Sequence, residues 1–248
     1  MNDSLIQRIN DAHGGFNRWQ QVESVQLNIN IFGPILITKF KSPWLPNITA
    51  NIYTDKPYVS FHNFPETGMT SIFDGFDVYI YNQNDRIINE RSFQHDADLI
   101  AKPRLKWDHE DLIYFLGYAL WNYICTPYIF NNEQFSCREG EDWIKKDGSK
   151  LNTLNVRFPA SIPTHCREQT FYYNQQGLLE RNDYTADVFS SFARGAHYCS
   201  EHKTIDGFVF PTKRSVFPRL WNDSALKPFK IMDGYIKQIN VNWRSSAC

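Results

Sequence analysis

The sequence has no excess of either charge, and this limits its partners. Its 248 residues include 26 Lys and Arg against 27 Asp and Glu. Proteins that bind nucleic acids usually carry a basic excess or a basic stripe, because neutralising phosphates supplies much of their affinity. The chain shows neither feature, so we expect no nucleic-acid partner.

Cysteine is scarce and is not arranged for cross-linking. The chain has five cysteines, an odd number, and no Cys-x-x-Cys pair. Such a set fits reduced thiols in the cytosol better than a disulfide framework. The first residues also lack a basic segment followed by an apolar one, which is the pattern of an export signal. We therefore expect a cytoplasmic protein.

Long apolar runs are missing as well. The most apolar stretch, residues 112–130, is interrupted by several tyrosines, by Asn122 and by Pro127. A membrane-spanning helix needs about 20 predominantly apolar residues. We expect no stable membrane insertion and interpret the first part of this stretch as a buried helix.

Common motifs for cofactor binding and nucleophilic catalysis are also absent. The sequence contains no Gly-x-Gly-x-x-Gly, no Gly-x-x-x-x-Gly-Lys-Ser/Thr and no Gly-x-Ser-x-Gly. The first two motifs bind phosphates through backbone N–H groups, and the third exposes a nucleophilic serine. Cys125 follows an apolar stretch, where desolvation would raise the pKa of its thiol rather than activate it. We expect no cofactor and assign no catalytic residue.

Aromatic residues, in contrast, are abundant. They make up 16% of the chain, with 19 Phe, 13 Tyr and 7 Trp. Aromatic side chains favour the half-buried surface of a pleated sheet and bring large apolar areas. This composition favours sheets that enclose a wide internal surface.

Short runs of alternating apolar and polar residues occur on both sides of the apolar stretch. A period of two residues is typical of strands with one buried face. In the first third, the pattern predicts strands at 25–31, 35–40, 48–53, 58–61, 69–73, 78–81 and 87–91. In the second half, it predicts strands at 141–146, 151–158, 167–173, 178–183, 196–205, 208–216 and 231–241.

Two segments have helical signals. Asp3 or Ser4 can cap a first amphipathic helix that ends at Gly14 and Gly15. In the middle of the chain, apolar residues recur at helical spacing over 112–124 and on nearly every side of the helix. Such a helix must be buried on most of its surface.

Two further signals lie near this second helix. Asp108 offers an N-cap, and the acidic residues that follow it complement the helix dipole. Residues 96–100 favour an additional short helix. We therefore expect one or two helices in the middle of the chain.

These patterns predict an α+β fold in a single domain over residues 1–248. A sheet of more than about ten strands must curl or split. We expect a strongly curved antiparallel β-sheet, an unclosed half-barrel of about 10 to 12 strands, wrapped around one or two helices.

Several segments also resemble one known family. They are the N-terminal helix that ends at Gly14-Gly15, the following Trp19, Val22 and Ser24, the turn Phe73-Asp74-Gly75 with Val78-Tyr79 after it, and the late segment 205–214 with its Asp-Gly turn and Pro-ended strand. These features resemble the LolA-like half-barrels, which are the bacterial lipoprotein carriers and their LppX-type relatives.

The resemblance implies a ligand class. Members of that family carry a lipid or an acyl chain in a cavity between the curved sheet and the helices that plug it. It therefore implies a bacterial protein that binds a lipid, a fatty acid or another apolar small molecule. Burial of an acyl chain would contribute about 0.8 kcal/mol per CH₂ group. Because the sequence shows no export signal, the resemblance points to a cytosolic-looking branch, without a role in lipoprotein traffic.

The apolar helix and its neighbours supply candidate ligand-binding residues. As a plug, the helix would present aromatic rings to a hydrophobic cavity. The candidates are Phe115, Tyr118, Trp121, Tyr114, Phe73, Tyr79 and Arg214. The alternative is that the helix simply fills the core, because protein interiors are close-packed. Gly117 in this helix either permits a close approach to a strand or is a packing glycine that costs some helix propensity.

Basic residues offer a second part of a ligand site. Lys213, Arg214 and Arg219, joined in space by Arg104 and Lys106, could surround a pocket mouth and hold a carboxylate or phosphate head group. The alternative is a solvated strand edge that is protected by charge.

One cluster has the residue types of a metal site. It consists of His197, Cys199, His202 and Asp206, together with His165 and Cys166 from an earlier segment. In a straight strand His197 and His202 point to opposite faces, which divides the set. We therefore predict no metal site and interpret these histidines as parts of the sheet.

Three functions remain open at this point. We favour a non-enzymatic protein that binds a lipid or another apolar molecule in the cavity. The first alternative is an enzyme that acts on a hydrophobic substrate, with His197 or His165 as general base. The second is a protein interaction module whose concave face accepts a segment of a partner.

Overall fold

A long antiparallel sheet dominates the protein, in a computed structural model that describes residues 4–93 and 103–245. Its strands are β1 Val22–Phe32, β2 Trp44–Tyr53, β3 Tyr58–His62, β4 Thr70–Asp74, β5 Asp77–Tyr81, β6 Ile87–Ser92, β7 Ser136–Glu139, β8 Trp143–Ile144, β9 Lys150–Arg157, β10 Glu168–Tyr173, β11 Leu179–Thr185, β12 Arg194–Ile205, β13 Phe208–Pro218 and β14 Met232–Trp243. The α-helices are α1 Leu5–Ala12, α2 Phe16–Trp19 and α3 His109–Cys125, and two 3₁₀ helices span Pro34–Lys39 and Tyr128–Asn131.

The strands form two meanders that meet at the ends of the chain. Their order across the sheet is β6-β5-β4-β3-β2-β1-β14-β13-β12-β11-β10-β9-β7, and β8 pairs with β9. The first strand thus pairs with the last, from Val22 opposite Trp243 to Phe32 opposite Asp233. Among the described residues β6 and β7 do not pair, so the sheet is unclosed. It has 14 strands, and the short β7 and β8 take the count above the expected range.

Helix α3 shows that the sheet is curved. Strands β4 and β13 lie five strand spacings apart in this order, which would be about 24 Å in a flat sheet. Yet α3 packs on β2 to β6, and Arg214 of β13 donates a hydrogen bond to the carbonyl of Tyr123 in the same helix at 3.0 Å. A helix is only about 10 to 12 Å wide, so the sheet must wrap around it. The predicted curved half-barrel is confirmed.

The N-terminus of α3 is fixed by charge. The Asp108 side chain accepts from the N–H of Asp111, and the Asp111 side chain accepts from the N–H of Asp108. Arg91 and Arg104 donate to both carboxylates. These acidic residues stabilise the helix start, as their sequence position predicted.

Gly117 lets α3 approach β4 closely, in agreement with one of the two interpretations of this glycine. A Cβ atom added at Gly117 would lie 2.5 Å from the Cβ atom of Phe73 and 2.9 Å from its Cδ1 atom. Both distances are below the normal contact limit between carbon atoms. The ring of Phe73 is fully buried against the helix.

We expect Gly117→Ala to destabilise the protein, although alanine is the better helix former by about 1 kcal/mol. Overpacking against Phe73 should lower the free energy of unfolding by about 1–3 kcal/mol, as measured by urea denaturation. In the double variant with Phe73→Ala, which removes the ring from the helix, the loss should be smaller than the sum of the two single losses. Strict additivity would contradict the proposed clash.

The strand predicted at 35–40 is wrong. These residues belong to the 3₁₀ helix Pro34–Lys39, which ends at Phe40 with a left-handed φ of 58°. Proline fixes φ near the helical value and has no N–H for a sheet ladder. The turn buries Leu36 completely and leaves Ile37 exposed. The strand that follows β1 is therefore β2, which begins at Trp44.

A second buried cluster lies below α1. The side chain of Ser4 caps this helix by accepting from the N–H of Gln7, in agreement with one of the two predicted caps. Leu5 and Ile9 of α1 pack on the aromatic side chains of Phe130 and Phe171. The helix predicted at 96–100 lies outside the described residues.

Candidate functional site

Three small internal cavities lie between α3 and the second half of the sheet. Their volumes are about 40, 30 and 10 Å³. The largest is lined by Ile29, Ile31, Phe115, Leu116, Ala119, Leu120, Tyr123, His197, Arg214, Val216, Met232 and Gly234. Phe115 and Met232 line the second as well, and Tyr123 and Arg214 also line the third. The cavities are thus neighbours within one poorly filled layer.

Arg214 is the charged residue of this layer. It is only 7% exposed, because β13 directs it inward between neighbours that face outward. Its guanidinium lies over the ring of Tyr123 at 4.6 Å. One terminal nitrogen donates to the carbonyl of Tyr123 at 3.0 Å and the other to Sγ of Cys199 at 3.3 Å. Its Nε atom has no partner in the described residues.

Arg214 has no acidic partner among the described residues. None of the ion pairs in 4–93 and 103–245 includes it. A guanidinium is charged at all ordinary pH values. The protein therefore holds a buried positive charge beside an apolar cavity, without a neighbouring carboxylate in that part of the chain.

His197 lies next to Arg214 on the same face of the sheet. It is 1% exposed, and neither of its ring nitrogens has a hydrogen-bond partner within 4–93 and 103–245. Cys199 is opposite Arg214 in the pairing of β12 with β13, and His197 is two residues before it. Burial, followed by the charge of Arg214, holds the pKa of His197 well below its ordinary value. The imidazole is therefore neutral near pH 7.

His165 joins a network of tyrosines on the other side of Tyr123. Its Nδ1 and Nε2 atoms share hydrogen bonds with the hydroxyls of Tyr118, at 3.1 Å, and Tyr123, at 2.6 Å. Its ring stacks on Tyr184 with centroids 4.0 Å apart. Burial lowers the pKa of His165 to about 3. This histidine is a neutral, well-fixed member of the core.

A group of loops covers one end of the cavities. Ile35, Phe189 and Ile231 from three of these loops line the second cavity. Lys39, which is 5% exposed, joins them by donating to the carbonyls of Arg104 at 2.8 Å and Phe189 at 3.2 Å. This ammonium therefore links the 3₁₀ helix to two other segments at the end of the cavity.

The same loops expose apolar side chains to solvent. In these loops, the apolar side chains that are more than half exposed are Ile37, Phe40, Leu105, Phe192, Trp221 and Phe229. Such residues are costly to leave in water when they are grouped. Some of them lie in the loops that the Lys39 side chain links at this end of the cavities. The others lie in the loop before β14, which adjoins those loops.

A larger cleft of about 500 Å³ lies at the surface, away from Arg214. It is lined by Phe16, Trp19, Gln20, Thr54, Asp55, Pro57, Trp121, Tyr128, Ile129, Asn131, Asn132, Phe135, Ile162 and Arg244. The Nε1–H group of Trp121 donates to the carbonyl of Tyr53. Arg244 lies 3.8 Å from the carboxylate of Asp55 at the cleft.

The predicted ligand-binding residues lie in different places. Phe115 and Arg214 line the internal cavities, and Trp121 lines the surface cleft. Tyr118 is fully buried and bonded to His165.

The three other candidates lie on the β4–β5 side of α3. Phe73 and Tyr114 pack on each other there with ring centroids 5.9 Å apart. Tyr79 lies between the buried residues Val78 and Ile80 of β5 and therefore points to the opposite face of the sheet. None of these three residues lines any of the three internal cavities.

The basic residues do not form a rim around a pocket mouth. Lys213 and Arg214 are adjacent in β13, so their side chains lie on opposite faces. Lys213 is at the surface and pairs with Glu201, whereas Arg214 is inside. Arg104 binds the carboxylates at the start of α3, and Arg219 binds Asp223.

No group of three or more potential metal ligands is found in residues 4–93 and 103–245. His197 and Cys199 share the inner face of β12, whereas the Nε2 atom of His202 donates to the carbonyl of Leu179. The cysteines at 125, 137, 166 and 199 are free thiols. Burial raises the pKa of Cys125 far above its ordinary value, as predicted.

The sequence did not reveal that Arg214 and His197 lie next to each other. The sequence placed Arg214 in a basic rim and His197 in a divided metal set. Alternation with a period of two shows which residues of one strand share a face. It does not show which residues of two different strands lie together. The register of β12 against β13 brings the two side chains together, and that register is a property of the fold.

Within the described residues, no helix is both long enough and apolar enough to span a membrane. Neither the family models nor the curated proteins include a match to this sequence. Solved structures do match its fold.

Two solved structures resemble the protein over nearly their whole length. A LolA superfamily protein from Nitrosomonas europaea has a TM-score of 0.53 at 10% sequence identity, covering 98% of this chain and 93% of that one. A DUF1329 family protein from Desulfovibrio piger has a TM-score of 0.50 at 11% identity, covering 99% and 96%. Likeness at such low identity concerns the fold and carries no activity. The protein therefore has a LolA-like fold, a half-barrel wrapped around helix α3.

Proposed function

We propose that this protein is a non-enzymatic binding protein that holds a lipid, a fatty acid or another apolar small molecule between α3 and the concave face of the sheet. One observation carries the proposal. Helix α3 packs closely on β2 to β6, whereas unfilled space lies between it and the adjoining strands β1, β14, β13 and β12. Well-packed interiors contain few such voids.

The side chains around this space suit an apolar ligand. Ile29, Ile31, Leu120, Val216 and Met232 all line the largest cavity. Methionine adapts its shape more readily than branched residues and fills irregular gaps. Burial of a hydrocarbon chain here would contribute about 0.8 kcal/mol per CH₂ group.

The present volume holds only a few atoms, so a ligand must widen the space. Ligand pockets usually measure about 300–1,000 Å³. Widening would separate α3 from β12 to β14 and keep its tighter packing on β2 to β6. The loops joined by Lys39 at the end of the cavity are the natural entrance.

The contacts of the two candidate histidines favour binding over catalysis. A general base is normally oriented by a carboxylate or another fixed partner and has a pKa near the working pH. His197 has no orienting partner in the described residues, and both ring nitrogens of His165 already bond to tyrosine hydroxyls, so neither is free for a substrate. Burial lowers the pKa of both imidazoles far from neutrality.

The first experiment is native mass spectrometry of freshly purified protein, followed by organic extraction of the released mass. We expect an apolar molecule in near-stoichiometric amount, or uptake of the neutral fluorescent probe N-phenyl-1-naphthylamine at one site per chain. A bare polypeptide that takes up neither the probe nor added lipid would contradict the proposal.

Ala119→Leu tests where the apolar molecule binds. Ala119 is 5% exposed and lines the largest internal cavity, so three added carbons would fill that space. We expect affinity for the neutral probe to fall about tenfold or more, which corresponds to about 1.4 kcal/mol. Probe titration measures this loss, and thermal unfolding reports whether the variant remains folded.

Ala225→Leu is the matched control. It adds the same three carbons to a partly buried residue in the loop after β13, away from the lining of the largest cavity, and we expect unchanged probe affinity. If Ala119→Leu binds the probe as tightly as the wild type, the probe occupies another place, such as the cleft of Trp19 and Tyr128. That result would contradict binding against α3.

A further inference from the structure

We infer that the ligand is an acidic amphiphile whose carboxylate or phosphate head group binds Arg214, with His197 as a second donor, inside the fold. This inference rests on the proposed function and adds the chemical class of the ligand. The inference is carried by two buried side chains that lie side by side at an apolar cavity. Among the described residues, the guanidinium of Arg214 has no carboxylate partner and the imidazole of His197 has no hydrogen-bond partner.

The first step is the electrostatic cost of Arg214. A buried charge is strongly destabilising unless a counter-charge and hydrogen bonds replace its water. A guanidinium has five N–H donors. In the described residues, Arg214 uses its two terminal nitrogens toward the Tyr123 carbonyl and Cys199 sulfur, and its Nε–H has no acceptor. A thiol sulfur and a carbonyl carry no full negative charge.

Comparison with Arg181, the other buried arginine, shows that Arg214 differs from it in having no carboxylate partner among the described residues. Arg181 is 3% exposed, and Asp183 accepts from its Nε at 2.6 Å and from a terminal nitrogen at 2.7 Å. This is the usual bidentate solution for a buried arginine. Arg214 is the corresponding cation on the cavity side, and a ligand oxyanion would complete the same arrangement.

His197 supplies a second, complementary group. Its neutral ring has one N–H donor whichever nitrogen carries the proton, and neither nitrogen has a partner in the part of the chain that the structure describes. Side chains placed diagonally across neighbouring strands are about 7–8 Å apart at their backbone positions. Two oxygens of one carboxylate or phosphate can therefore bridge Arg214 and His197.

The surroundings determine the rest of the molecule. Beyond these two residues, the cavity wall consists of Ile29, Ile31, Leu120 and other apolar side chains. A small inorganic anion would satisfy the charge but would leave this apolar space unfilled. An oxyanion attached to a hydrocarbon chain matches both parts of the cavity.

The test compares three ligands with the same twelve-carbon chain: dodecanoate, dodecyl phosphate and 1-dodecanol. Each displaces N-phenyl-1-naphthylamine from wild-type protein and from Arg214→Met at neutral pH. Hydrogen bonds to charged groups are strong enough that we expect wild type to prefer an acidic ligand over the alcohol by about tenfold or more. The tighter of the two acids identifies the head group.

Arg214→Met should abolish this preference and keep the affinity for 1-dodecanol within about twofold. The methionine retains an apolar stem of similar length, and loss of an unpaired buried charge should not lower the melting temperature. Arg214→Lys should retain part of the preference, because its ammonium keeps the charge but loses the planar, bidentate geometry.

The outcomes separate the inference from the proposed function. If wild type binds 1-dodecanol and both acids equally, or if Arg214→Met keeps the preference, the head-group assignment is wrong and apolar binding stands. If the variant loses all three ligands equally while remaining folded, Arg214 shapes the cavity and does not read the head group. If wild type binds none of the ligands and no probe, the proposed function itself fails.

Discussion

Lowering the pH from about 7 to about 4 is expected to unfold this protein steeply, because three buried histidines must remain neutral in the folded state. Burial lowers the pKa of His13 to about 4 and of His165 to about 3, and it holds the pKa of His197 well below its ordinary value. An unfolded chain would bind protons at all three sites near pH 6.5.

The sign of the effect follows from proton binding. Between about pH 6.5 and 4, the unfolded state carries protons on these imidazoles and the folded state does not, so protons favour unfolding. Each histidine should reduce the free energy of unfolding by about 1.4 kcal/mol per pH unit in this range. All three together give about 4 kcal/mol per unit, which is large against a typical total of about 5–15 kcal/mol.

Urea denaturation at a series of pH values measures this slope. His197→Phe should reduce it by about one third and should cost little stability near pH 7, because the ring nitrogens of His197 have no partner to lose in the described residues. His62→Gln is the control, since His62 is exposed on β3, and its pH profile should match the wild type. A profile of His197→Phe that equals the wild type would contradict the assignment of this histidine.

Asp183→Ala is expected to destabilise the protein strongly, because it leaves a buried arginine without its counter-charge. Asp183 is 2% exposed and accepts from two nitrogens of Arg181 and from the hydroxyl of Tyr172. Removing one partner of a buried pair leaves the other charge without compensation. The free energy of unfolding, measured by urea denaturation, should therefore fall by about 3–5 kcal/mol.

A matched control separates burial from ion pairing as such. Asp74 pairs with Lys56 at 3.2 Å, but both side chains are largely in water. We expect Asp74→Ala to change stability by less than about 1 kcal/mol. Equal losses in the two variants would show that burial does not determine the contribution.

A third variant tests the reason for the loss. Replacing both partners, Arg181→Leu with Asp183→Leu, removes the unpaired charge and should recover much of the stability that Asp183→Ala loses. If the double variant is as unstable as Asp183→Ala, then the ring stack of Arg181 with Trp143 and Tyr172 stabilises the fold more than the charge pair does.

The proposed head-group site and the Asp183 pair show two uses of buried arginine in one sheet. Arg181 and Arg214 both point into water-poor surroundings. Asp183 neutralises Arg181 and forms a structural ion pair with it. Arg214 has no such carboxylate in the described residues, and for this reason it carries the inference about the ligand.

Local rules of sequence determined most elements of the fold. Alternation with a period of two residues predicted β1, β10 to β14 and most of the first meander, because one face of each strand must be apolar to be buried. The nearly all-apolar pattern over 112–124 predicted a helix buried on most sides. The glycine in that helix allowed a close approach to a strand, but only the structure identified Phe73 as the contact. The resemblance in turns and strand ends was enough for the fold class.

Other parts were decided by contacts between distant segments. Residues 35–40 were predicted as a strand, but Pro34 and the burial of Leu36 favour a 3₁₀ turn that lies at the end of the cavity. Tyr79 was predicted to line the cavity, but in β5 its side chain points to the outer face of the sheet. Alternation alone does not say which face of a strand is concave.

The candidate site depended most on tertiary structure. The sequence by itself determined that the chain forms an antiparallel sheet around an apolar helix, because period and composition act over a few neighbouring residues. The tertiary structure decided that Arg214 is inside and Lys213 outside, and that Arg214 lies beside His197 and the Tyr123 carbonyl. Strand register and sheet curvature bring these groups together, and both result from packing between residues far apart in the chain.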